Sequence, residues 1–181
     1  MIAWRREESA FEHLVEAHLR SLYRVALRLT GQHSEAEDLV QDTFLKAFRH
    51  RDQLRDLDKV CAWLFSILRS CHLDGLRKKG REPEVHGLTE VDAVTNPPED
   101  WELASDPLGR ITEEEVQRVL LTLPEEYRLA VLLCDVEEMS YDEIARVIGS
   151  PVGTVRSRIA RARSLLRQVL AGYAARQGYG K

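Results

Sequence analysis

The 181 residues include 44% hydrophobic and 31% charged side chains, enough for one modest core or two small ones. No apolar run approaches the roughly 20 residues of a membrane-spanning helix, and the first residues lack a signal-peptide stretch, so we expect a cytosolic chain without membrane insertion. The cysteines Cys61, Cys71 and Cys134 form neither an even set nor a C-x-x-C pair, which argues against a disulfide framework or a zinc site.

The net charge of −4 conceals a segregation of charge along the chain. Residues 81–112 include eight acidic and two basic side chains, whereas residues 144–181 include eight basic ones and no acidic one. A wholly basic segment is typical of a surface that contacts phosphates. Because the chain as a whole is acidic, a partner should be needed to bring it to nucleic acid.

Three helically periodic apolar runs occupy residues 1–80. The capping-box patterns Ser9-x-x-Glu12 and Ser34-x-x-Glu37 predict where the first two helices start, and Gly31 is placed to end the first. The third run extends from about Asp58 to Lys79. These runs predict a three-helix bundle as the first domain.

Periodicity vanishes in residues 81–112, where four prolines accompany the acidic side chains, and this composition predicts a flexible acidic linker. The second domain, 113–181, should then contain four helices, at about 113–121, 124–136, 141–148 and 151–173. The sequence therefore predicts an all-α fold of two small helical domains joined by an acidic flexible linker.

The segment Ser140-Tyr-Asp-Glu-Ile-Ala-Arg-Val-Ile-Gly149 predicts a short helix that ends at Gly149. Ser150 can cap the next helix, and Pro151 suits its first turn because that position needs no N–H. Small side chains and arginines occupy the face of this last helix opposite its apolar stripe. A helix-turn-helix of this kind could enter a DNA major groove. The alternative is a solvated basic helix.

The first domain mixes basic residues with Trp63 between Arg49 and Lys79, a composition that suits a single nucleic-acid strand. The alternative for Trp63 is an ordinary core position. The predicted second helix, 35–51, exposes more apolar and acidic surface than a small bundle needs, so a partner protein could cover it. An ordinary amphipathic helix is the alternative there.

Several segments resemble extracytoplasmic-function sigma factors of the sigma-70 family. Glu37-Asp-Leu-Val-Gln-Asp-Thr-Phe-Leu-Lys-Ala-Phe48 resembles their polymerase-binding helix, and Ala62-Trp-Leu-Phe-Ser-Ile followed by Asp74-Gly-Leu-Arg-Lys-Lys79 resembles their promoter-melting helix. Leu123-Pro-Glu-Glu-Tyr-Arg and the helix-turn-helix are similar to their fourth region.

The resemblance implies a subunit that directs RNA polymerase to promoters, responds to stress and is controlled by an anti-sigma factor. Its first domain would dock on the clamp helices of the β′ subunit and open the minus-ten element. Its second would sit on the β flap and read the minus-thirty-five element. Carried over to this sequence, the polymerase contacts fall on Asp38, Gln41, Asp42 and Leu45, the minus-ten contacts on Arg51, Gln53, Arg55, Lys59, Trp63, Arg69, Arg77 and Lys78, and the minus-thirty-five contacts on Thr154, Arg156, Ser157, Arg158, Ala160, Arg161 and Arg163.

Lys79-Gly-Arg-Glu-Pro83, Glu99-Asp-Trp-Glu-Leu-Ala104 and the tail Gly178-Tyr-Gly-Lys181 further resemble the actinobacterial group that is paired with redox-sensing, zinc-binding anti-sigma factors. In such pairs the reactive cysteines belong to the partner.

Two other classes of protein remain open on the residues alone. A stand-alone helix-turn-helix regulator would use the first bundle as a sensor or dimerisation domain and would bind duplex DNA without polymerase. An enzyme would have to be built around Cys61, Cys71, His72 and Cys134, which lack the spacing of a metal site or an evident base. We therefore predict no catalytic residue, metal site or cofactor.

Overall fold

The computed structural model describes residues 2–54, 56–80 and 113–176, which form seven α-helices and two short 3-10 turns, with no strand among them. The predicted linker 81–112, Arg55 and the tail 177–181 lie outside the described residues. The 3-10 turns are Arg51–Gln53 and Leu57–Lys59. The helices are α1 (Ile2–Thr30), α2 (His33–Arg49), α3 (Val60–Lys78), α4 (Glu113–Thr122), α5 (Glu125–Asp135), α6 (Tyr141–Ile148) and α7 (Val152–Arg176).

These helices confirm the all-α prediction of two helical domains, formed by α1–α3 and by α4–α7. The domain boundaries at residues 80 and 112 stay a prediction, because the segment between them is not described. None of the helices that the structure describes is both long enough and apolar enough to cross a membrane.

The predicted starts of the first two helices are wrong. Helix α1 already runs through Ser9, because it begins at Ile2. Helix α2 begins at His33, where Gln32 is the N-cap and makes no side-chain capping hydrogen bond, so Ser34 lies within the first turn. The predicted end of α1 is right: Gly31 adopts a φ of 75° and donates its N–H to the Leu27 carbonyl oxygen at 2.8 Å.

The helix-turn-helix forms as predicted, except that Pro151 takes the cap position of α7 predicted for Ser150: its carbonyl oxygen accepts the N–H of Val155 at 3.1 Å, and the Ser150 hydroxyl accepts from Arg158. Ser140 accepts a hydrogen bond from the backbone N–H of Glu143, whose side chain accepts one from the backbone N–H of Ser140. Helix α6 ends at Gly149, which has a φ of 69°, and α7 begins directly after Pro151. The inner faces of both helices are buried, at Ile144, Val147, Ile148, Val155, Ile159 and Ala162.

The two domains pack directly on each other, which the sequence did not predict. Helix α3 contacts α6, and α1 contacts α4 and α5, so the buried apolar residues of both domains form one continuous core. The domains approach closely at the turn between α1 and α2, where a Cβ added to Gly31 would lie 2.8 Å from Leu121 Cδ1 of α4. Glycine at this position therefore serves both the turn and the packing of the domains.

Candidate nucleic-acid interface

Helix α2 presents the predicted polymerase contacts on one exposed face. Its opposite face packs in the core, where the buried Thr43 hydroxyl donates to the Leu39 carbonyl oxygen at 2.7 Å. Leu45 is 56% exposed and Phe48, one helical turn further on, is 36% exposed, so this face presents apolar as well as acidic side chains. The structure brings all four predicted residues together on this face, namely Asp38, Gln41, Asp42 and Leu45.

Beside α3, the described residues Gln53, Leu54, Asp56 and Lys59 close one side of an open cleft of about 330 Å³. Three of the predicted minus-ten residues, Gln53, Lys59 and Trp63, line this cleft. Trp63 is partly buried: it packs against the hydrophobic core and also lines the cleft. It is therefore a core residue that could still stack with a base. The remaining lining residues are Leu54, Asp56, Ala62, Ser66 and, from α6 of the second domain, Arg146.

The charges at the cleft are held by short contacts. Lys59 Nζ lies 2.7 Å from Asp56 Oδ2, and the backbone N–H of Asp58 donates to Asp56 Oδ1 at 3.1 Å. The hydrogen bond from Lys59, then that from the Asp58 backbone, lowers the pKa of Asp56, and the positive charge of Arg146 contributes in the same direction. The cleft therefore combines an aromatic wall with a fixed arrangement of charged and amide groups.

Arg51, two residues before Gln53 in the chain, holds its guanidinium 4.7 Å from the centre of the Phe48 ring and donates to the Phe48 carbonyl oxygen at 3.0 Å.

Three more of the predicted minus-ten residues lie along α3 and do not line the cleft, while Arg55 lies outside the described residues. Arg69 is half-buried against the second domain near Glu126 and Arg158, and burial lowers its pKa while Glu126 opposes that shift. Arg77 is exposed and lies 3.4 Å from Asp74, and Lys78 is exposed at the end of the helix. The structure thus divides the predicted minus-ten set into a cleft group and a group further along α3.

Helix α7 presents a basic outer face near its N-terminus. Arg156, Ser157 and Arg161 are exposed, while Thr154 and Ala160 are half-buried beside them. Neither Arg156 nor Arg161 forms an ion pair with a residue in the described part of the chain, so both guanidinium groups are available to a ligand. Arginine at such a position can bind guanine or phosphate.

Two arginines of the predicted minus-thirty-five set are instead tied to their own domain. Arg158 pairs with Glu126 and donates to Ser150 Oγ at 2.9 Å. Arg163 Nη2 lies 2.5 Å from Asp135 Oδ1, and this hydrogen bond raises the pKa of Arg163. These pairs fix the orientation of α7 against α5.

Arg128 of α5 is a structural residue whose role we did not predict from the sequence. Its buried guanidinium donates to the carbonyl oxygens of Leu120, Leu121 and Leu123 near the end of α4, at 2.8–3.0 Å. It also donates to Leu29 O, near the end of α1, at 2.9 Å. One side chain therefore satisfies helix-terminal carbonyls from both domains. Arg128 is the last residue of the Leu-Pro-Glu-Glu-Tyr-Arg motif, but the motif gives no indication of these hydrogen-bond partners.

Further polar contacts join the domains. Glu137, between α5 and α6, accepts a hydrogen bond from Ser21 and lies 2.9 Å from Arg24 Nη2. Gln117 donates to Leu27 O at 3.3 Å and to Arg28 O at 3.1 Å. On α3, His72 Nε2 lies 2.8 Å from Glu125 Oε1, within ion-pair range although their orientation is not that of a hydrogen bond.

The three cysteines are half-buried free thiols. Burial raises the pKa of each, that of Cys134 to about 11, so at neutral pH all three are poor nucleophiles. In residues 2–54, 56–80 and 113–176, no group of three His, Cys, Asp or Glu side chains is placed to hold a metal ion.

Comparison with known proteins matches each of the two domains to a region of the sigma-70 factors. The family described as Sigma-70 region 2 matches residues 14–82, and the family described as Sigma-70, region 4 matches residues 113–166.

Two curated relatives that match about nine tenths of this chain are both ECF RNA polymerase sigma factors. The ECF RNA polymerase sigma factor SigE of Mycolicibacterium smegmatis is 38% identical over 90% of this chain and 62% of its own length, so this chain spans less than two thirds of that relative. SigW of Bacillus subtilis, also an ECF RNA polymerase sigma factor, is 30% identical over 91% of this chain and 90% of its own length.

Among solved structures, the sigma factor RpoE of Bartonella quintana, in complex with the anti-sigma factor NepR, gives a TM-score of 0.70 at 30% identity. The likeness covers 90% of this chain and 97% of that one, so it extends over both helical domains. On these matches and on the order of its helices, the chain belongs to the extracytoplasmic-function RNA polymerase sigma factors of the sigma-70 family.

Proposed function

We propose that this chain directs RNA polymerase to specific promoters, binding core enzyme through α2, the minus-ten strand through the cleft beside α3, and the minus-thirty-five duplex through α7. The observation that carries the proposal is the combination, in one chain, of an exposed acidic and apolar helix face with a helix-turn-helix in which Arg156 and Arg161 are exposed and form no ion pair with a residue in the described part of the chain. The first surface suits a protein partner, and the second suits DNA.

The minus-ten assignment rests on the lining of the cleft. A single-stranded base can stack on Trp63 while Gln53 and Lys59 supply hydrogen bonds, and Arg51, two residues before Gln53 in the chain, is the candidate contact for the backbone phosphates. The minus-thirty-five assignment rests on Arg156 and Arg161, because these exposed residues lie in the first three turns of α7, where groove insertion is deepest. Arg158 and Arg163 serve to hold α7 in place.

The chain itself performs no chemistry in this proposal. Its thiols have raised pKa values, and its named surfaces are suited to binding. Control by an anti-sigma factor is part of the proposal, supported by the structural relative that was solved with such a partner. The β′ clamp helices and the β flap are the expected docking points for the two domains, as the family resemblance implies.

The decisive experiment combines the purified chain with core polymerase and transcribes a randomised promoter library. We expect enrichment of sequences with two elements, one selected as duplex and one selected as an opened strand. Asp42→Arg should weaken association with core enzyme about tenfold, equivalent to about 1.4 kcal/mol, because a like charge replaces a complementary one.

Glu16→Arg is the matched control, since it makes the same charge change at an exposed position of α1, away from the α2 face. Unchanged core binding by Asp42→Arg would remove this face of α2 from the interface.

A stand-alone regulator is separated from this function by a gel shift with duplex promoter DNA. Binding by the chain alone, unchanged when core enzyme is added, would favour the regulator. We expect specific binding only in the presence of core enzyme, because the chain carries a net charge of −4.

A further inference from the structure

The four arginines in the first half of α7 fall into two pairs with different surroundings. Arg156 and Arg161 are exposed and form no ion pair with a residue in the described part of the chain. Arg158 and Arg163 lie on the two edges of the helix, between its outer face and its buried stripe. If the outer face of α7 entered a major groove, each edge would lie beside a phosphate backbone.

Both edge arginines are held by carboxylates of α5. The Arg158 side chain is 16% exposed, pairs with Glu126 in the first turn of α5 and donates to Ser150 Oγ at 2.9 Å. Arg163 makes a two-point contact with Asp135, the last residue of α5, in which Nη2 lies 2.5 Å from Oδ1 and Nε lies 3.3 Å from Oδ2. A carboxylate bound in this way neutralises the guanidinium and takes the donors that a phosphate would use.

These ion pairs affect how α7 would bind DNA of any sequence. The buried apolar faces of α5 and α7 already belong to one core, so the two helices are packed together without them. Each free arginine that neutralises a phosphate strengthens binding to promoter and non-promoter duplex alike. With Arg158 and Arg163 free, α7 would offer two more such contacts. The carboxylates therefore act on the part of the affinity that is independent of sequence.

We infer that Glu126 and Asp135 limit the sequence-independent affinity of α7 for duplex DNA, because they keep Arg158 and Arg163 from binding phosphates. Helix α7 then approaches the minus-thirty-five duplex with two free arginines in this region in place of four. The inference rests on the proposed function of α7. It gives the two carboxylates of α5 a role in DNA binding although neither touches DNA.

Glu126→Gln tests the first pair, because the amide keeps the shape of the carboxylate but has no charge to hold Arg158 against a phosphate. Asp135→Asn tests the second pair in the same way. Glu138→Gln is the control with the same change in net charge, at an exposed position between α5 and α6. Equal charge matters because the loss of any negative charge strengthens attraction to DNA.

Each variant is combined with core polymerase, and binding to a labelled duplex is measured by fluorescence anisotropy at several salt concentrations. One duplex contains the minus-thirty-five element that wild-type holoenzyme selects, without a minus-ten element. The other contains the same bases in scrambled order. Because core enzyme is common to all samples, a difference in salt dependence between variants reports a difference in the phosphate contacts of this chain.

We expect Glu126→Gln and Asp135→Asn each to bind both duplexes more tightly than wild type. The plot of log affinity against log salt should steepen by about 0.9 in each, and the preference for the selected element should not change. Arg158→Ala alone should keep the wild-type slope, and Glu126→Gln/Arg158→Ala should return to it. Glu138→Gln should not change the slope.

A slope that is about 0.9 shallower in Arg158→Ala would overturn the inference, because Arg158 would then already bind a phosphate in the wild type. Wild-type slopes in both Glu126→Gln and Asp135→Asn would overturn it as well, since the ion pairs would then serve only the packing of α7. If the proposed function itself is wrong, wild-type holoenzyme selects no minus-thirty-five element, whatever the slopes on the scrambled duplex. The two failures are thus distinguishable.

Discussion

The two surfaces that we propose bind DNA differ in how they are built and in how accessible they are. The outer face of α7 comes from one helix, which Pro151 and the preceding Gly149 set in place. The cleft beside α3 draws on a loop, a helix and, through Arg146, the other domain. The first surface lies open in the chain as described, whereas the second is partly covered. A surface made by one element can be presented constantly, while one made by several can be controlled by moving any of them.

The largest effect is expected at Arg128, the residue whose side chain donates hydrogen bonds to both domains. Arg128→Ala would remove the guanidinium donor from buried carbonyl oxygens of α1 and α4 and leave Glu125 without its arginine partner. We expect the free energy of unfolding of the full chain to fall by about 3–5 kcal/mol, measured by urea denaturation.

Arg118→Ala is the control, because that side chain is 72% exposed, and it should change stability by less than about 0.5 kcal/mol. A similarly small loss for Arg128→Ala would mean that water replaces the guanidinium at no cost.

The open surface is tested at Arg161. Arg161→Ala should leave the fold intact and weaken holoenzyme binding by about 1–3 kcal/mol, and the loss should vanish when the contacted base pair is changed. A titration over minus-thirty-five variants measures this. If Arg161 meets only phosphate, the loss will be similar on all variants and the salt dependence will fall by about one unit.

Arg163→Ala sharpens the test, since Arg163 is paired with Asp135. It should lower the stability of the second domain with little effect on base preference. Wild-type affinity of Arg161→Ala on every sequence would contradict groove reading by this face.

The local origin of the helix-turn-helix is tested at its cap. Ser140→Ala should cost about 1 kcal/mol of stability, measured by thermal unfolding, because it removes one side of the capping box. The Ser140 side chain is also the main cause of the lowered pKa of Glu143. In the wild type this adds stability above the unfolded pKa of about 4.5, which is lost as the pH falls through the lower folded value.

The variant should lose part of that acid-side dependence. Ser164→Ala, an exposed position further along α7, should show neither effect.

The smallest expected effect is on the reactivity of Cys61. Burial raises its pKa, and the charges of Glu137 and Glu143 in the second domain add to the shift. In Gln117→Ala/Glu137→Arg we therefore expect the pKa of Cys61 to fall and its alkylation to proceed about twofold to fivefold faster at pH 8.

Cys71 provides an internal reference, because after burial the charged groups acting on its pKa all lie in the first domain. Mass spectrometry of each labelled peptide compares the two sites. Equal acceleration at both would indicate a general loosening of the first domain.

The sequence predicted what local chemistry determines. The capping box at Ser140 and the glycines at 31 and 149 marked true helix boundaries. The Ser9 and Ser34 patterns failed because a capping pattern also fits within a helix, where favourable residues on both sides let the helix continue.

The covered cleft could not be predicted, since it depends on contacts between residues such as Arg24 and Glu137, which are 113 positions apart. Nor could the sequence tell that Arg158 and Arg163 bind carboxylates of their own domain while Arg161 pairs with no carboxylate among the described residues. Helical spacing gives the face of a residue but not the partner across from it.

The close approach of Gly31 and Leu121 predicts that these two positions vary together among related sequences. Any larger residue at 31 would need an unfavourable φ and would displace the Leu121 side chain. Relatives that pack their domains in this way should therefore retain glycine wherever a bulky apolar residue stands at the position of Leu121. Where that position holds a small residue, the glycine is required by the turn alone, and asparagine becomes tolerable. Paired variation of these two positions across a large alignment would identify, without further structures, which relatives share the docked arrangement.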